Sequence, residues 1–222
     1  MSETHPRGDT VHRVQFTFDA QVEACFGRLA LVHLAETVGE EMAFALVEGP
    51  AARTLPERAY VHVQGTGHFA APGLWRPFGP GGEMGPLAFM VAPGTLVPIE
   101  EPENGGAPCA VQTPCRAMTD SVWCEGHLVD PARPEWGYLG RGWRVDVAVP
   151  SAGDGTRAVL TFDPGHEDQT HRPAVKRGDT LAIKAMLTLY EQEYWSGITK
   201  DTPVLTVYRD KDYRVEASEH DS

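Results

Sequence analysis

The chain has 222 residues, a length that suits one large domain or two small ones. Its 19 Lys and Arg residues against 31 Asp and Glu residues give a formal net charge of -12, which excludes a generally basic surface that would bind duplex DNA by neutralising phosphates alone. No apolar run reaches the roughly eighteen residues of a membrane span and the N-terminal MSETHPRGDT is polar, so we expect a cytoplasmic protein that does not bind membranes.

The N-terminal part is predicted to consist mainly of strands. Residues 14–18 alternate apolar and polar side chains, which is typical of a half-buried strand. Residues 19–47 fit either one helix face that begins at Asp19 or a hairpin around Gly39, and the hairpin is favoured. Residues 59–64 (AYVHVQ) alternate again and predict a further strand.

Two stretches rich in glycine and proline follow, at residues 70–85 and 93–108. Glycine and proline interrupt regular structure, so both stretches are predicted to be loops. The second contains the acidic segment IEEPENGG and is taken as the connection between two domains. We therefore expect a β-rich N-terminal domain over residues 1–108, a second domain over residues 109–217 and a polar tail over residues 218–222.

Strand patterns fill the C-terminal half, each bounded by turn residues. They cover residues 120–129, 142–149, 156–162, 180–191, 202–209 and 213–216. The segment SAGDG joins the second and third as a short hairpin turn, since glycine readily adopts the positive φ that such turns need. The polar residues 166–176 predict a loop or a short helical turn. The C-terminal half is therefore predicted to be all β.

The order of these segments resembles the OB-fold of bacterial single-stranded DNA-binding proteins. A strand with a central glycine leads to Asp-Pro, and it is followed by an alternating strand, a strand that ends in Phe, a basic-Gly-Asp turn and a long strand that leads to an aromatic residue. The residues in the matching places are Gly126, Leu128, Asp130, Pro131, Phe162, Lys176, Gly178, Asp179 and either Tyr194 or Trp195. The resemblance covers about residues 118–216, and it implies a five-stranded OB-like barrel.

A fainter similarity joins the two halves of the chain. PERAYVHVQGTGHF and KRGDTLAIKAMLTLY share a charged start, an alternating strand and a small residue midway. Two alternatives follow for the N-terminal domain: a second, divergent OB-like barrel, or a β-rich domain of another kind. The predicted fold class is mostly β, with an OB-like barrel in the C-terminal half.

The resemblance implies a binding face built from aromatic rings for bases and cations for phosphates. Along the long strand, alternation points Leu181 and Ile183 into the barrel and Lys184 outward. The same alternation, with Val145 inward, sends Arg144 outward. The predicted nucleic-acid contacts are Arg144, Arg157, Phe162, Lys176, Arg177, Lys184, Tyr190, Tyr194 and Trp195. Two of these rings have a second interpretation, because Phe162 is equally suited to the core and Trp195 to closing the barrel.

Four cysteines are too few for a disulfide framework in a chain of this length, and we expect free thiols. Cys109, Cys115, Cys124 and His127 offer four zinc-type ligands within nineteen residues. The C-x2-C spacing of most structural zinc sites is absent, and residues 124 and 127 fall on opposite faces of a strand. We therefore favour no metal and no cofactor, with this zinc set as the alternative.

No catalytic fingerprint of the GxSxG, HExxH, Walker or dinucleotide type occurs in the chain. His166 and His171, near three carboxylates, are the alternative basis for a hydrolase-type site. The favoured hypothesis is a non-catalytic, homo-oligomeric protein that binds single-stranded nucleic acid, in the first place DNA, in replication, recombination or repair. A protein-interaction module that docks a partner through an acidic surface is the second hypothesis, and the hydrolase is the third.

Overall fold

The computed structural model describes residues 14–34, 44–69, 87–102, 105–129, 137–150, 156–162, 172–188 and 203–217. Its twelve strands are β1 (Val14–Phe26), β2 (Leu29–Leu34), β3 (Phe44–Glu48), β4 (Tyr60–Phe69), β5 (Leu87–Ile99), β6 (Ala110–Ala117), β7 (Val122–Val129), β8 (Gly137–Val149), β9 (Thr156–Phe162), β10 (Thr180–Thr188), β11 (Val204–Val207) and β12 (Tyr213–Ala217). Two short 3-10 turns, Pro50–Arg53 and Asp210–Asp212, are the helical elements of the described residues, and no helix in these ranges is long and apolar enough to cross a membrane.

The first five strands close into a barrel. β1 pairs with β2, β2 with β3, β3 with β5, β5 with β4, and β4 again with β1. Among these five pairings of described strands, that of β3 with β5 is parallel and the other four are antiparallel. This strand order, with the third and fifth strands parallel, is the Greek-key arrangement of the OB-fold. The first half of the chain is therefore an OB-like barrel, and of the two alternatives for its fold the divergent barrel is the one observed.

A second barrel repeats this order. β6 and β7 together serve as its first strand, followed by β8, β9, β11 and β10, and β10 pairs back onto β6. β9 and β11 are parallel, as the third and fifth strands of the first barrel are. The predicted mostly-β class with an OB-like barrel in the C-terminal half is confirmed.

Each barrel wall follows the alternation of the sequence. In β10, Leu181, Ile183 and Ala185 are buried while Lys184 is exposed, as predicted. The apolar side chains at every second position are buried away from water on the inner side of the wall. This burial is the main favourable contribution to the free energy of forming the barrel.

The two barrels share one sheet and one core. β1 pairs with β6 over residues 15–17 and 110–112, so the first strands of the two barrels lie side by side. Asp19 fixes the segment that leads into β6, because its backbone N–H donates to Ala107 O (3.1 Å) and its Oδ2 accepts from Ala107 N–H (2.7 Å). Its Oδ1 lies 2.7 Å from Nδ1 of His62. The domain boundary near residue 108 stays a prediction.

The antiparallel pairing of β2 with β3 confirms the predicted hairpin and contradicts the helical alternative, although Gly39 itself lies outside the described residues. The predicted loop at residues 70–85 also lies outside the described ranges.

The prediction of a loop from residue 93 is wrong at its start, because β5 continues to Ile99. Gly65 pairs with Gly94 and Gly67 pairs with Val91, so Pro93 lies in a bulge of β5. A residue in a bulge is not paired in the ladder, and proline can therefore stand there without its N–H being needed. Beyond Val91, the described part of β5 pairs with β4 alone, and an open edge tolerates proline.

β6 was not predicted. Its inward residues Thr113 and Ala117 are weakly apolar, and Pro114 interrupts the pattern. On one side of β6, Pro114 pairs with Ala182 of β10. On the other side, β1 pairs with residues 110–112 and β8 with residues 116–117, so Pro114 lies in the gap between these two pairings and the structure accommodates it. The second barrel thus begins about eight residues before the segment that carries the family resemblance.

Candidate nucleic-acid interface

The basic-Gly-Asp turn lies against the break between β6 and β7. Gly178 N–H donates to Ala117 O, and Ala117 N–H donates to Asp179 O, both at 2.8 Å. Gly178 has a φ of +96°, in the left-handed region that favours glycine. The carboxylate of Asp179 accepts from the backbone N–H of Lys176 at 2.8 Å and closes the turn.

This turn presents two cations to solvent. The side chains of Lys176 and Arg177 are both exposed, and each residue is tied to the fold through its backbone rather than its charge. The N–H of Arg177 donates to Oδ1 of Asp120 at 2.9 Å, and the N–H of Lys176 donates to Asp179. Both charged groups therefore project from a fixed backbone.

A third cation, Arg172, is held at the other end of the same segment. Its Nε donates to Ser121 Oγ (2.9 Å) and its Nη2 to Ser121 O (2.8 Å). Its guanidinium carbon lies 5.7 Å from the ring centre of Trp143, within the range of a cation–π contact. Two hydrogen bonds and a ring fix this charge beside an aromatic group.

Trp143 is one of two tryptophans that face each other across β7 and β8. Trp123 pairs directly with Trp143, and the two rings meet edge to face with centroids 5.4 Å apart and planes at 73°. Trp143 is half-buried and packs against the core, whereas Trp123 keeps 37% of its surface exposed. We call the group formed by Trp123, Trp143, Arg172, Lys176 and Arg177 the Trp123 surface.

The cations of the Trp123 surface belong to a half of the chain that is net acidic. Over the full sequence, residues 105–217 hold 13 Lys and Arg residues and 16 Asp and Glu residues. Attraction of an anionic ligand therefore depends on the local group of Arg172, Lys176 and Arg177, whose side chains are all exposed, and not on the charge of the barrel as a whole.

Arg144 points outward from the barrel wall, as predicted, but it is not open to solvent. Its side chain lies on the outer side of the barrel wall, but only 9% of the residue is exposed. Its Nε and Nη2 donate to Asp146 Oδ1 at 3.1 and 2.9 Å. The neighbouring outward residues Val159 and Val204 are also buried, at 0% and 1% exposure, so this outer face is covered.

Arg157 is half-exposed, and its Nη2 donates to the same Asp146. One carboxylate thus holds two guanidinium groups. The charge of Arg157 is shared with this pair rather than presented alone.

Phe162 belongs to the core. It is 7% exposed and meets the ring of Tyr213 edge to face, with centroids 4.9 Å apart. Its ring face is therefore not offered to solvent, so the interpretation of Phe162 as a stacking platform is wrong. Tyr190, Tyr194 and Trp195 lie outside the described residues, in the segment between β10 and β11, and their roles stay predictions.

Lys184 projects from the outer face of β10, as predicted, and stands opposite Gln112 of β6. It borders a groove of about 430 Å³ that Lys211 and Arg214 also line. Asp212 in the same groove offsets one of these three charges. Lys184 is therefore available to a phosphate, at a place distinct from the turn of Lys176.

The zinc set does not assemble. Cys109 and Cys115 are both buried, and six residues of extended chain place them roughly 20 Å apart, too far for one tetrahedral ion. Burial raises the pKa of Cys115 to about 12 and also raises that of Cys109, so both are protonated thiols at neutral pH. In the described ranges no group of three or more His, Cys, Asp or Glu residues is arranged to hold a metal. The side chains of Cys124 and His127, together with His166 and His171, lie outside what the structure describes.

Sequence reasoning missed Trp123 and Arg172. Trp123 and Trp143 are equally far in sequence from residues 130–136. The assumption of a hairpin between β7 and β8 would therefore have predicted that these two tryptophans pair. Arg172 gave no such signal, because its partner Ser121 is 51 residues away in the sequence.

Two solved structures are similar to this chain over nearly its whole length. One is the single-stranded DNA-binding protein from Thermus aquaticus, with 13% identity, a TM-score of 0.49, and coverage of 92% of this chain and 93% of that one. The other is a deletion mutant of the same protein, with 12% identity, a TM-score of 0.49, and coverage of 94% and 95%. No protein-family model and no curated protein matches the sequence. The OB class of both barrels follows from the strand order described above.

Proposed function

We propose that this protein binds single-stranded nucleic acid, in the first place DNA, through the Trp123 surface of its second barrel, without catalysing a reaction. The observation that supports this proposal is an exposed indole in the same barrel as three exposed cations that hydrogen bonds hold in place, Arg172 through its side chain and Lys176 and Arg177 through their backbones. A base can stack on the exposed ring of Trp123, which contributes about 1–3 kcal/mol in proteins of this kind. Arg172, Lys176 and Arg177 can then follow the phosphates.

A single strand suits this surface better than a duplex. Stacking on Trp123 needs an unpaired base, because the faces of paired bases are occupied by their neighbours. The overall charge of -12 also disfavours the long-range attraction on which duplex binding depends. Proteins that hold single strands serve replication, recombination or repair, and we propose one of these roles.

The decisive experiment is a fluorescence titration of the full chain with a single-stranded homopolymer, compared between the natural protein and Trp123→Ala. We expect quenching in the natural protein, and a loss of affinity of about 5- to 150-fold in the variant, because one stacked base is removed. Trp123→Phe should retain most of the affinity, since it keeps an aromatic face.

Val97→Ala is the control, because Val97 is an exposed apolar residue of the first barrel with 53% of its surface accessible. It should bind as the natural protein does. Full-strength binding by Trp123→Ala would remove the Trp123 surface from the proposal. Absence of any binding by the natural protein at low salt would favour a protein-interaction module, for which the exposed Met118 and Val122 beside Trp123 are also suited.

We also propose that the chain forms homo-oligomers. β10, β6, β1 and β4 are consecutive neighbours, so one sheet surface crosses both barrels. Gln15, Gln64 and Gln112 are exposed on it, and a second copy could present the same amides in return. Sedimentation velocity should then give a mass that is a multiple of 24.2 kDa.

A further inference from the structure

Three polar side chains are joined by hydrogen bonds on the outer face of β1 and β4. The Oγ1 of Thr17 lies 3.2 Å from Nε2 of His62, and Nδ1 of the same ring lies 2.7 Å from Oδ1 of Asp19. Asp19 and His62 stand directly opposite each other in the ladder, and Thr17 lies two residues before Asp19 on the same face. A hydroxyl, an imidazole and a carboxylate are therefore connected in that order.

The carboxylate decides which nitrogen of His62 carries the proton. A carboxylate only accepts hydrogen bonds, so Nδ1 of His62 donates to Asp19, and Nε2 of the neutral ring accepts from the hydroxyl of Thr17. Asp19 is itself fixed, because its Oδ2 accepts from the N–H of Ala107 at 2.7 Å and only 14% of its side chain is exposed. His62 is thus oriented as a base toward the hydroxyl of Thr17.

The hydroxyl of Thr17 borders a groove on the sheet surface. Thr17 lines this groove of about 350 Å³ together with Gln15, Gln64 and Thr66. Gln64 pairs directly with Thr17 and is exposed, so its amide can donate a hydrogen bond to an oxygen held beside the hydroxyl. The side chain of His62 keeps 41% of its surface exposed. A small ligand in the groove therefore meets a nucleophile, a base and a hydrogen-bond donor for a developing oxyanion.

We propose that Thr17 is a site of covalent modification that accepts an acyl group from a small activated ester or thioester. The Oγ1 of Thr17 forms a bond to the acyl carbon while Nε2 of His62 takes the hydroxyl proton. The bond from that carbon to the leaving oxygen or sulfur then breaks, and the leaving group takes the proton from His62. The products are an ester on Thr17 and a free alcohol or thiol, and neither step requires nucleic acid.

The test incubates the full chain with p-nitrophenyl acetate and locates acetyl groups by mass spectrometry of its peptides. The protein is kept dilute, because the second copy proposed for the same sheet surface would cover the groove. We expect one acetyl group that fragmentation assigns to Thr17. Thr95 is the internal control, because it is exposed but its hydroxyl donates to the backbone carbonyl of Gln64 at 3.0 Å instead of to a base. It should remain unmodified.

Two variants separate the base from the residue that positions it. His62→Gln should slow the modification of Thr17 by about 10²- to 10⁴-fold, the usual contribution of a general base. Asp19→Asn should also slow it, because the amide oxygen can still accept from Ala107 while the amide N–H₂ donates to Nδ1 and forces the proton onto Nε2. The ¹⁵N chemical shifts of the His62 ring should report this change of tautomer.

Variants of the nucleophile complete the test. Thr17→Ser should be acetylated and Thr17→Val should not, since valine keeps the shape of the side chain without its hydroxyl. Equal modification of Thr17 and Thr95 in the natural protein would overturn the proposal, as would an unchanged rate in folded His62→Gln. Transfer of the acetyl group to Cys25 instead of Thr17 would overturn it as well. If His62→Gln does not fold, the ratio of modification at Thr17 and Thr95 in the natural protein decides.

Discussion

Removing the two charges of the basic-Gly-Asp turn should reduce the salt dependence of binding by a definite amount. Lys176 and Arg177 are held by backbone hydrogen bonds, so Lys176→Gln together with Arg177→Gln removes both charges and keeps the turn. Each phosphate contact on a single strand contributes about 0.7 to the slope of log affinity against log salt, and two contribute about 1.4. Between 50 and 200 mM salt, the natural protein should lose roughly sevenfold more affinity than the double variant.

The assay is the homopolymer titration repeated across that range of salt. Arg53→Gln is the control, because Arg53 is an exposed cation of the first barrel and does not belong to the Trp123 surface. This variant should leave the slope unchanged. Thermal unfolding of the double variant should change little, since both side chains are exposed. An unchanged slope in the double variant would refute the assignment of these cations to phosphates.

Lys184→Gln extends the same measurement to the outer face of β10. Lys184 is exposed in a groove that holds Lys211 and Arg214, so we expect this variant to lower the slope by about 0.7. If only Lys184→Gln lowers the slope, the strand follows the β10 groove and not the Trp123 surface. If the slope is lowered only by the double variant Lys176→Gln with Arg177→Gln, Lys184 does not contact a phosphate.

Three further outcomes are expected. Tyr190→Ala combined with Tyr194→Ala should weaken binding with little change in melting temperature, and a large drop in melting temperature would show that these rings are core. Asp19→Ala should lower the free energy of unfolding by about 1–3 kcal/mol in urea titrations, because the N–H of Ala107 loses its acceptor; an unchanged midpoint would contradict the role of this contact. With a pKa of about 12, Cys115 should react with iodoacetamide at pH 8.5 about a thousandfold more slowly than an exposed thiol, and rapid labelling of the native protein would contradict its burial.

Local pattern determined the strands and their inner faces. The alternation of Leu181, Ile183 and Ala185 was enough to orient β10, because a strand places successive side chains on opposite faces whatever lies beside it. The turn at Lys176 was equally visible, since Gly178 supplies a positive φ that other residues rarely adopt. These features depend on a few adjacent residues, and so the sequence by itself predicts them.

The tertiary structure decided which strands meet and which surfaces remain open. β6 was missed because Pro114 is acceptable only where its other edge lacks a neighbour, and that depends on where β1 and β8 end. Arg144 follows the alternation and is still buried, because the outer face of its strand is covered. Trp123 and Arg172 meet through Trp143 and Ser121. Such contacts join residues that are up to about fifty positions apart, and the periodicity of a single strand contains no information about the register that brings them together.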